Sequence, residues 1–209
     1  PADWPLLISI DWGHTHPLVM QFWRIDGDGR MYLTREWNQT GTLVEDAAKA
    51  ALQIIADEGM PRPYAIAADH DAEDRHTFER HSGLTTRPAY KAVSRGLQLV
   101  SARLREAGDG KPRLMVFRDS VTGRDPGPWV DRPRGVAAEM GGYVWQTSKD
   151  GSGVPKEAPV KNEDDSADCM RYAVAHLDRH EPTRLGNPAA ARPAAQPAQS
   201  SKWSRPVGR

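Results

Sequence analysis

Two aspartates in this sequence each end a short apolar run, at positions where carboxylates can act together on one ligand. Asp11 ends the run that begins at Leu6, and Asp69 ends a second run that begins at Tyr64. Both runs have the composition of buried strands, and open α/β sheets bind ligands at the carboxyl ends of their strands. Gly13 and the alanines before Asp69 leave room for close approach to the backbone. If the two strands are neighbours, the two carboxylates are neighbours as well.

A third group of acids lies at the predicted start of the last helix. Asp164 and Asp165 precede Asp168 by four and three residues, so each shares a helix face with it, and Glu163 comes directly before them. Crowded carboxylates repel one another, and a divalent ion such as Mg²⁺ or Mn²⁺ relieves this repulsion because hard cations prefer carboxylate oxygen. Two such ions about 4 Å apart can activate a water and stabilise the leaving oxygen in phosphodiester cleavage.

Each of these aspartates also has a purely structural explanation. An aspartate after a strand is a common turn former, and acids at the start of a helix offset its dipole. The spacing alone therefore leaves both interpretations open.

The elements that carry these residues predict an α/β protein with a mixed sheet of five or more strands and helices on both faces. A three-strand meander comes first, with a hairpin turn at 26–29, and parallel strands joined by helical crossovers follow. The predicted strands are Leu6–Trp12, Leu18–Ile25, Met31–Trp37, Tyr64–Asp69, Leu114–Phe117 and Tyr143–Gln146.

The predicted helices alternate with the later strands. Thr42 and Glu45 form a capping-box pattern before the first helix, and Gly59 is its stop signal. Residues 119–134 are turn-rich and are not assigned, and 147–161 are predicted to be a loop. The other predicted helices are 72–82, Val93–Leu104, a short one around Glu139, and Asp164–Leu177.

Composition indicates one globular domain over residues 1–180 and a disordered, basic, Pro/Ala-rich tail over 181–209. The 28 basic and 28 acidic residues cancel, which argues weakly against a nucleic-acid binder. The single cysteine, Cys169, excludes an internal disulfide, and no apolar stretch reaches the roughly 20 residues that span a bilayer. We expect a piece of a longer chain with no membrane partner.

Four segments of the sequence resemble the motifs of phage large terminase nuclease domains, in the same order. The first two hold the strand-end aspartates, the third has a Glu…Tyr-x-Trp pattern, and the last is similar to an Asn-Asp-His-x-x-Asp-Ala-x-Arg-Tyr signature. The matching residues are Ile8–Gly13 with Pro17; Ala67–Asp69 with Phe78, Gly83 and Lys91; Glu139, Tyr143 and Trp145; and Pro159–Tyr172.

This resemblance implies a ribonuclease-H-like fold with the hairpin at one edge of the sheet, and a two-metal endonuclease that cuts concatemeric double-stranded viral DNA during packaging. Asp11, Asp69 and Asp168 correspond to the catalytic, metal-binding aspartates, with Asp165 or Asp164 assisting two Mg²⁺ or Mn²⁺ ions. The implied partners are an N-terminal ATPase domain of the same chain, the portal and the small terminase, in the host cell cytoplasm. No Gly-x-x-x-x-Gly-Lys-Ser/Thr loop occurs in this chain.

Two residues depart from the family pattern, which often has His at Asp165 and Ala at Cys169. We favour Asp168 as the third main ligand because it stands before the Arg-Tyr pair. His70, Lys91 and Arg95 are candidate contacts to the DNA backbone, with a solvated surface as the alternative for each.

Three other functions fit parts of the sequence. Another ribonuclease-H-like nuclease, such as a junction resolvase or transposase core, would use the same aspartates. The segment from Asp11 to Thr15 also resembles the phosphate-binding turn of sugar kinases and actin-like ATPases, but no second copy of it occurs. A non-enzymatic module that docks to DNA or to the portal is the third alternative.

Overall fold

The computed structural model describes residues 1, 3–124, 135–142, 145–147, 155–159 and 164–180. These residues form an α/β structure with one large mixed sheet, a two-stranded sheet, and helices. The strands are β1 (Leu6–Asp11), β2 (Leu18–Ile25), β3 (Met31–Gln39), β4 (Ala65–Ala68), β5 (Arg87–Pro88), β6 (Leu114–Val116), β7 (Val121–Arg124), β8 (Trp145–Thr147) and β9 (Pro155–Pro159). The helices are α1 (Val44–Asp57), α2 (Ala72–Ser82), α3 (Val93–Leu104), α4 (Val136–Glu139) and α5 (Asp165–His180).

The large sheet has seven strands in the order β5-β4-β1-β2-β3-β6, with β7 also paired to β3. Strands β1, β2 and β3 form the predicted antiparallel meander. Strand β4 runs parallel to β1, β5 runs parallel to β4, and β6 and β7 run parallel to β3. The predicted mixed sheet is therefore confirmed.

Helices cover both faces of this sheet, as predicted, because the central strands are apolar on both sides. One core joins α1 and α2 to the sheet through residues such as Ala51 and Phe78. The other core joins α3 and α5 to the opposite face through residues such as Val100 and Val174. The site aspartates lie where these layers meet the end of β1.

Several local predictions were wrong. The hairpin of β2 and β3 is not at an edge, because the long strand β3 is covered by β6 and β7. Helix α1 begins at Val44 after Leu43, without a side-chain cap, so the expected capping box is not formed. Strand β9 lies inside the predicted loop 147–161, where prolines at both ends of the strand concealed it.

The remaining differences concern short strands and the end of the chain. The two residues of β5 and the turn-like sequence of β7 carry too little apolar pattern to be recognised. No helix among the described residues is long and apolar enough to cross a membrane. The predicted tail at 181–209 lies outside the described residues.

Candidate metal centre

The parallel pairing of β1 and β4 places the two strand-end aspartates side by side. Ile10 pairs with Ala68, and the Asp69 amide donates a 2.9 Å hydrogen bond to the Ile10 carbonyl oxygen. The Trp12 indole Nε1 donates to the Asp69 carbonyl oxygen at 3.3 Å. The ends of the two strands are thus joined by main-chain and side-chain bonds directly beside both carboxylates.

The loop after Asp11 folds so tightly that it requires a glycine. A Cβ atom at Gly13 would lie 2.4 Å from the Pro17 carbonyl oxygen and 2.6 Å from that of His16. Such distances are far below van der Waals contact, so a side chain at this position would displace the loop. The same loop accepts a 2.9 Å hydrogen bond at the His14 carbonyl from the Gly41 amide.

The start of α5 brings the third group of acids to the end of β1. The helix begins at Asp165, and the Asp168 amide donates to the Asp164 carbonyl at 2.8 Å. The Ala167 amide, which belongs to the first turn and so needs an acceptor from outside the helix, donates to Glu139 Oε2 at 2.9 Å. Glu139 therefore acts as a helix cap supplied by another element, and it anchors the turn that carries Asp165 and Asp168.

Charge is most crowded around Asp11. Burial is the main reason that the pKa of Asp11 rises from its ordinary value of 3.8 to about 8, and repulsion from Asp168, Asp69 and Asp165 contributes, against a smaller opposing effect of Lys91. Within the described part of the chain, no hydrogen-bond donor reaches the Asp11 carboxylate. This carboxylate is thus surrounded chiefly by charge of its own sign.

Asp69 has the opposite electrostatic environment. Burial alone would raise its pKa, but hydrogen bonds from Lys91 and His70 outweigh this effect and lower the pKa. Lys91 Nζ and His70 Nδ1 each lie 2.6 Å from the same oxygen, Asp69 Oδ1. Asp69 is therefore an ionised carboxylate held by cationic and polar neighbours.

Asp168 and Asp165 lie on the same helix, α5, and have different neighbours. Arg171 Nη2 lies 2.9 Å from Asp168 Oδ2, and the Arg171 side chain is 1% exposed, so Arg171 braces the helix through this carboxylate. Burial raises the pKa of Asp165 to about 6, with His16 opposing the shift and Asp164 and Asp168 adding to it. The charges of both carboxylates act on Asp11.

A buried polar cluster lies behind α5 and supports its first turn. Gln21 Nε2 donates to Glu36 Oε1 at 2.9 Å and to the Ser166 carbonyl at 2.8 Å. The Val136 amide donates to both Glu36 oxygens, at 3.2 and 3.1 Å. Burial, with the nearby charge of Glu36, raises the pKa of Glu139 to about 8. These bonds fix α4 and α5 against the sheet.

The structure brings most of the predicted site residues together. Asp69, Asp165 and Asp168 are close enough to Asp11 to raise its pKa, and Asp164 and Asp168 raise the pKa of Asp165. His70 and Lys91 contact Asp69, whereas Arg95 is exposed and bonds to Gln98 Oε1 at 3.2 Å. Cys169 is buried. Tyr143 and Glu163 lie outside the described residues.

The roles of the supporting residues were not predicted from the sequence. Gln21 and Glu36 are polar residues inside otherwise buried strands, and such residues need buried partners. The presence of polar residues in apolar strands could therefore have indicated a buried polar cluster. Glu139 was predicted only as part of a motif and of a short helix, and Trp12 only as the last residue of a strand. Their bonds depend on elements that are distant in sequence.

The donor set suits a hard divalent cation in its chemistry, since four carboxylates converge and their mutual repulsion is only partly relieved. Among the described residues, however, no three Asp, Glu, His or Cys side chains stand ready to hold a metal ion. Asp69 is turned to Lys91, and Asp168 to Arg171, so these pairs occupy carboxylate oxygens. Binding a cation here therefore requires side-chain movement.

Comparison with solved structures defines the class of this fold. The large terminase of a thermophilic bacteriophage matches with a TM-score of 0.64 and 20% identity, over 85% of this chain and 40% of that one. The P22 large terminase nuclease domain matches with a TM-score of 0.59 and 18% identity, over 86% and 83% of the two chains. The bacteriophage SPP1 g2p nuclease domain with bound Mn matches with a TM-score of 0.58 and 18% identity, over 84% and 86%.

The fold is therefore that of the ribonuclease-H-like α/β nuclease domains. Within that class, it is the fold of large terminase nuclease domains, and this chain spans 40% of the length of the terminase from the thermophilic bacteriophage. No protein-family model and no curated protein matches the sequence. The likeness to the two solved nuclease domains extends over 83–86% of each chain and concerns the fold.

Proposed function

We propose that this chain is the metal-dependent endonuclease domain of a bacteriophage large terminase, which cuts concatemeric double-stranded viral DNA during genome packaging. One observation carries the proposal: the buried carboxylate of Asp11 lies within electrostatic reach of Asp69, at the end of the parallel neighbour strand, and of Asp165 and Asp168, at the start of α5. The fold supports it, because nuclease domains of large terminases share it and one of them was crystallised with bound Mn.

On this proposal Asp11, Asp69 and Asp168 would hold two Mg²⁺ or Mn²⁺ ions, with Asp165 or Asp164 assisting. When bound, such ions lower the pKa of a water molecule and neutralise the charge that grows on the phosphate. No covalent bond between enzyme and DNA is needed. The alternative of an actin-like phosphate turn at Asp11 would instead predict nucleotide binding without DNA cleavage.

The residues of the chain itself position the carboxylates. Trp12 holds the backbone at Asp69, and Arg171 holds Asp168 from the buried side of α5. Glu139 fixes the first turn of α5 through the Ala167 amide. We further propose that His70, Lys91 and Arg95 contact the phosphates of DNA. These contacts carry charge but read no base, so cleavage should show little sequence preference.

The wider setting of the domain is also a proposal. Residues 1–180 would form the nuclease domain and 181–209 a basic tail. An N-terminal ATPase domain of the same full-length chain would precede the nuclease, since the terminase of the thermophilic bacteriophage is more than twice as long as the matched region. The portal and the small terminase would be its partners, and the host cell cytoplasm its location.

Nicking and linearisation of a supercoiled plasmid tests the function. The chain should cut with Mn²⁺ or Mg²⁺ and should stop cutting with chelator. Asp11→Asn, Asp69→Asn and Asp168→Asn should each abolish cutting, since each removes a charged ligand while keeping side-chain size. Asp46→Asn is the matched control, because Asp46 is an exposed carboxylate on α1 that pairs with Lys49.

Separate outcomes point to the alternatives. Full activity in one of the three variants would remove that residue from the site. DNA retention without cutting under any divalent ion would favour a docking module. Preference for four-way junctions over linear duplex would favour a resolvase-type nuclease on the same fold.

A further inference from the structure

A lysine and an arginine form ion pairs with carboxylates of the proposed metal centre, and His70 also contacts one of them, Asp69. Lys91 Nζ lies 2.6 Å from Asp69 Oδ1, and Arg171 Nη2 lies 2.9 Å from Asp168 Oδ2. In the ranges that the structure describes, no ion pair of this kind reaches Asp11. Two of the three main carboxylates of the proposed site, Asp69 and Asp168, are thus each paired with a basic side chain of the protein.

Arg171 is built into the protein and cannot leave without unpacking it. Its side chain is 1% exposed, and its Cγ lies where a Cβ atom at Gly96 of α3 would clash, at 2.6 Å. Its guanidinium lies 5.0 Å from the centre of the Tyr172 ring and donates to the Tyr90 carbonyl at 3.5 Å. The Arg171–Asp168 pair is therefore a fixed brace.

Lys91 is held much more loosely. Its side chain is 40% exposed, and it precedes α3, which begins at Val93. Its ammonium lies 5.8 Å from the centre of the Tyr172 ring, and such a cation–π contact at an exposed site contributes only about 0.5–1 kcal/mol. A lysine ammonium is a strongly hydrated charge on a flexible stem, so it returns to water at small cost. Of the two pairs, only Lys91–Asp69 is suited to exchange.

We propose that Lys91 is a tethered counter-ion, which neutralises Asp69 in the free protein and is displaced from it when a divalent cation binds. The inference rests on the proposed function of the site. Lys91 Nζ occupies hydrogen-bonding distance of Asp69 Oδ1, and Mg²⁺ binds a carboxylate oxygen at about 2.0–2.1 Å. Two cations so close on one oxygen repel strongly, so ion pairing with Lys91 and metal binding compete.

Competition between Lys91 and the divalent cation for Asp69 has a consequence that contact of Lys91 with a DNA phosphate alone would not have. Removing the Lys91 charge should tighten the binding of the first divalent ion when no DNA is present. The released ammonium would lie on the exposed side of the site. Lys91 would therefore lower the metal affinity of the free protein, while Asp69 would stay ionised and in place.

Calorimetric titration of the 209-residue chain with Mn²⁺, at fixed pH and ionic strength and without DNA, tests this inference. Lys91→Gln should bind the first ion roughly tenfold more tightly than the wild type. Lys91→Arg keeps the charge and should bind no more tightly. Lys49→Gln is the matched control, because it breaks an exposed Lys–Asp pair of 2.7 Å on α1, and it should leave the affinity unchanged.

Equal or weaker Mn²⁺ binding by Lys91→Gln would overturn the inference and leave the proposed function standing. An equal gain in Lys49→Gln would also overturn it, since a general charge effect would then explain the result. Asp11→Asn serves as the separate arm for the proposed function and should lose Mn²⁺ binding. Absence of binding in both the wild type and Lys91→Gln would end both proposals together.

Discussion

The Asp69 amide donates a 2.9 Å hydrogen bond to the carbonyl oxygen of Ile10, the residue before Asp11. This bond extends the parallel register of β1 and β4 past the last paired residues, Ile10 and Ala68. The two aspartates are thus neighbours because of main-chain pairing, not because their side chains attract each other. Their repulsion lowers the stability of the folded protein, and the strand pairing and the surrounding core offset this loss.

Replacing Asp11 by Asn should stabilise the metal-free protein at neutral and alkaline pH. Burial, with repulsion from Asp168 and Asp69, raises the pKa of Asp11 to about 8, so the folded protein binds this proton more tightly than the unfolded chain. The resulting stability is complete below the unfolded pKa near 3.8 and is lost as pH rises toward 8. Asp11→Asn escapes that loss, which reaches up to about 5 kcal/mol at pH 8.

Thermal unfolding with chelator, at about pH 4 and about pH 8, measures this effect. The melting temperature of Asp11→Asn should exceed that of the wild type at the higher pH and should approach it at the lower. Asp46→Asn, in an exposed pair with Lys49, should show no such dependence on pH. A gain for Asp11→Asn that is the same at both pH values would contradict the crowded-charge explanation.

Glu139 should tolerate loss of its charge but not loss of its oxygen. The pKa of Glu139 is raised to about 8, so at neutral pH it is mostly protonated, and Glu139→Gln should change stability little. Glu139→Ala leaves the buried Ala167 amide without an acceptor and should cost about 1–3 kcal/mol. Chemical denaturation at neutral pH compares the two variants. Equal destabilisation by both would show that the carboxylate form itself is required.

Gly96→Ala should destabilise the protein although alanine favours helices. The helical preference of alanine over glycine is about 1 kcal/mol, whereas overpacking a core costs about 1–3 kcal/mol. The new Cβ would lie 2.6 Å from Arg171 Cγ and 2.7 Å from its Cδ, and this side chain is buried. We therefore expect a net loss, together with weaker Mn²⁺ binding as Arg171 shifts Asp168.

Gly108→Ala is the matched control for that variant, because nothing among the described residues lies within 4 Å of its added Cβ. Urea denaturation measures stability, and calorimetry measures Mn²⁺ affinity. A Gly96→Ala protein that is more stable than the wild type would show that Arg171 moves freely, against the fixed brace described above.

Gly13→Ala should disrupt the loop that follows Asp11. The added Cβ would lie 2.4 Å from the Pro17 carbonyl oxygen, so the backbone must move, at a cost of about 1–3 kcal/mol. Plasmid cleavage should fall with it, since the loop adjoins Asp11. Gly27→Ala, whose Cβ would meet none of the described atoms within 4 Å, should stay within about 0.5 kcal/mol of the wild type. Comparable stability of Gly13→Ala and Gly27→Ala in urea denaturation would contradict this prediction.

Local sequence pattern was enough to predict most of the elements. The apolar run of β2, the stretch Ala72–Ser82 of α2 and the stretch Val93–Leu104 of α3 were predicted with the bounds that the structure shows. A helix with one buried face shows apolar residues at helical spacing, and a fully buried strand shows a continuous apolar run. Both patterns are visible in neighbouring residues of the sequence. Short strands such as β5 and β7 carry no such pattern, and both were missed.

The sequence by itself determined which residues could hold a cation, because carboxylates at strand ends and on one helix face are visible in the spacing of Asp11, Asp69 and Asp168. Only the tertiary structure decided which of them meet, and what else meets them. The approach of Lys91 to Asp69 and of Glu139 to Ala167 depends on the order of strands and the docking of helices. Those contacts join residues far apart in the chain. The free energy that favours them comes from packing between different elements, so it cannot be assigned to any one segment of the sequence.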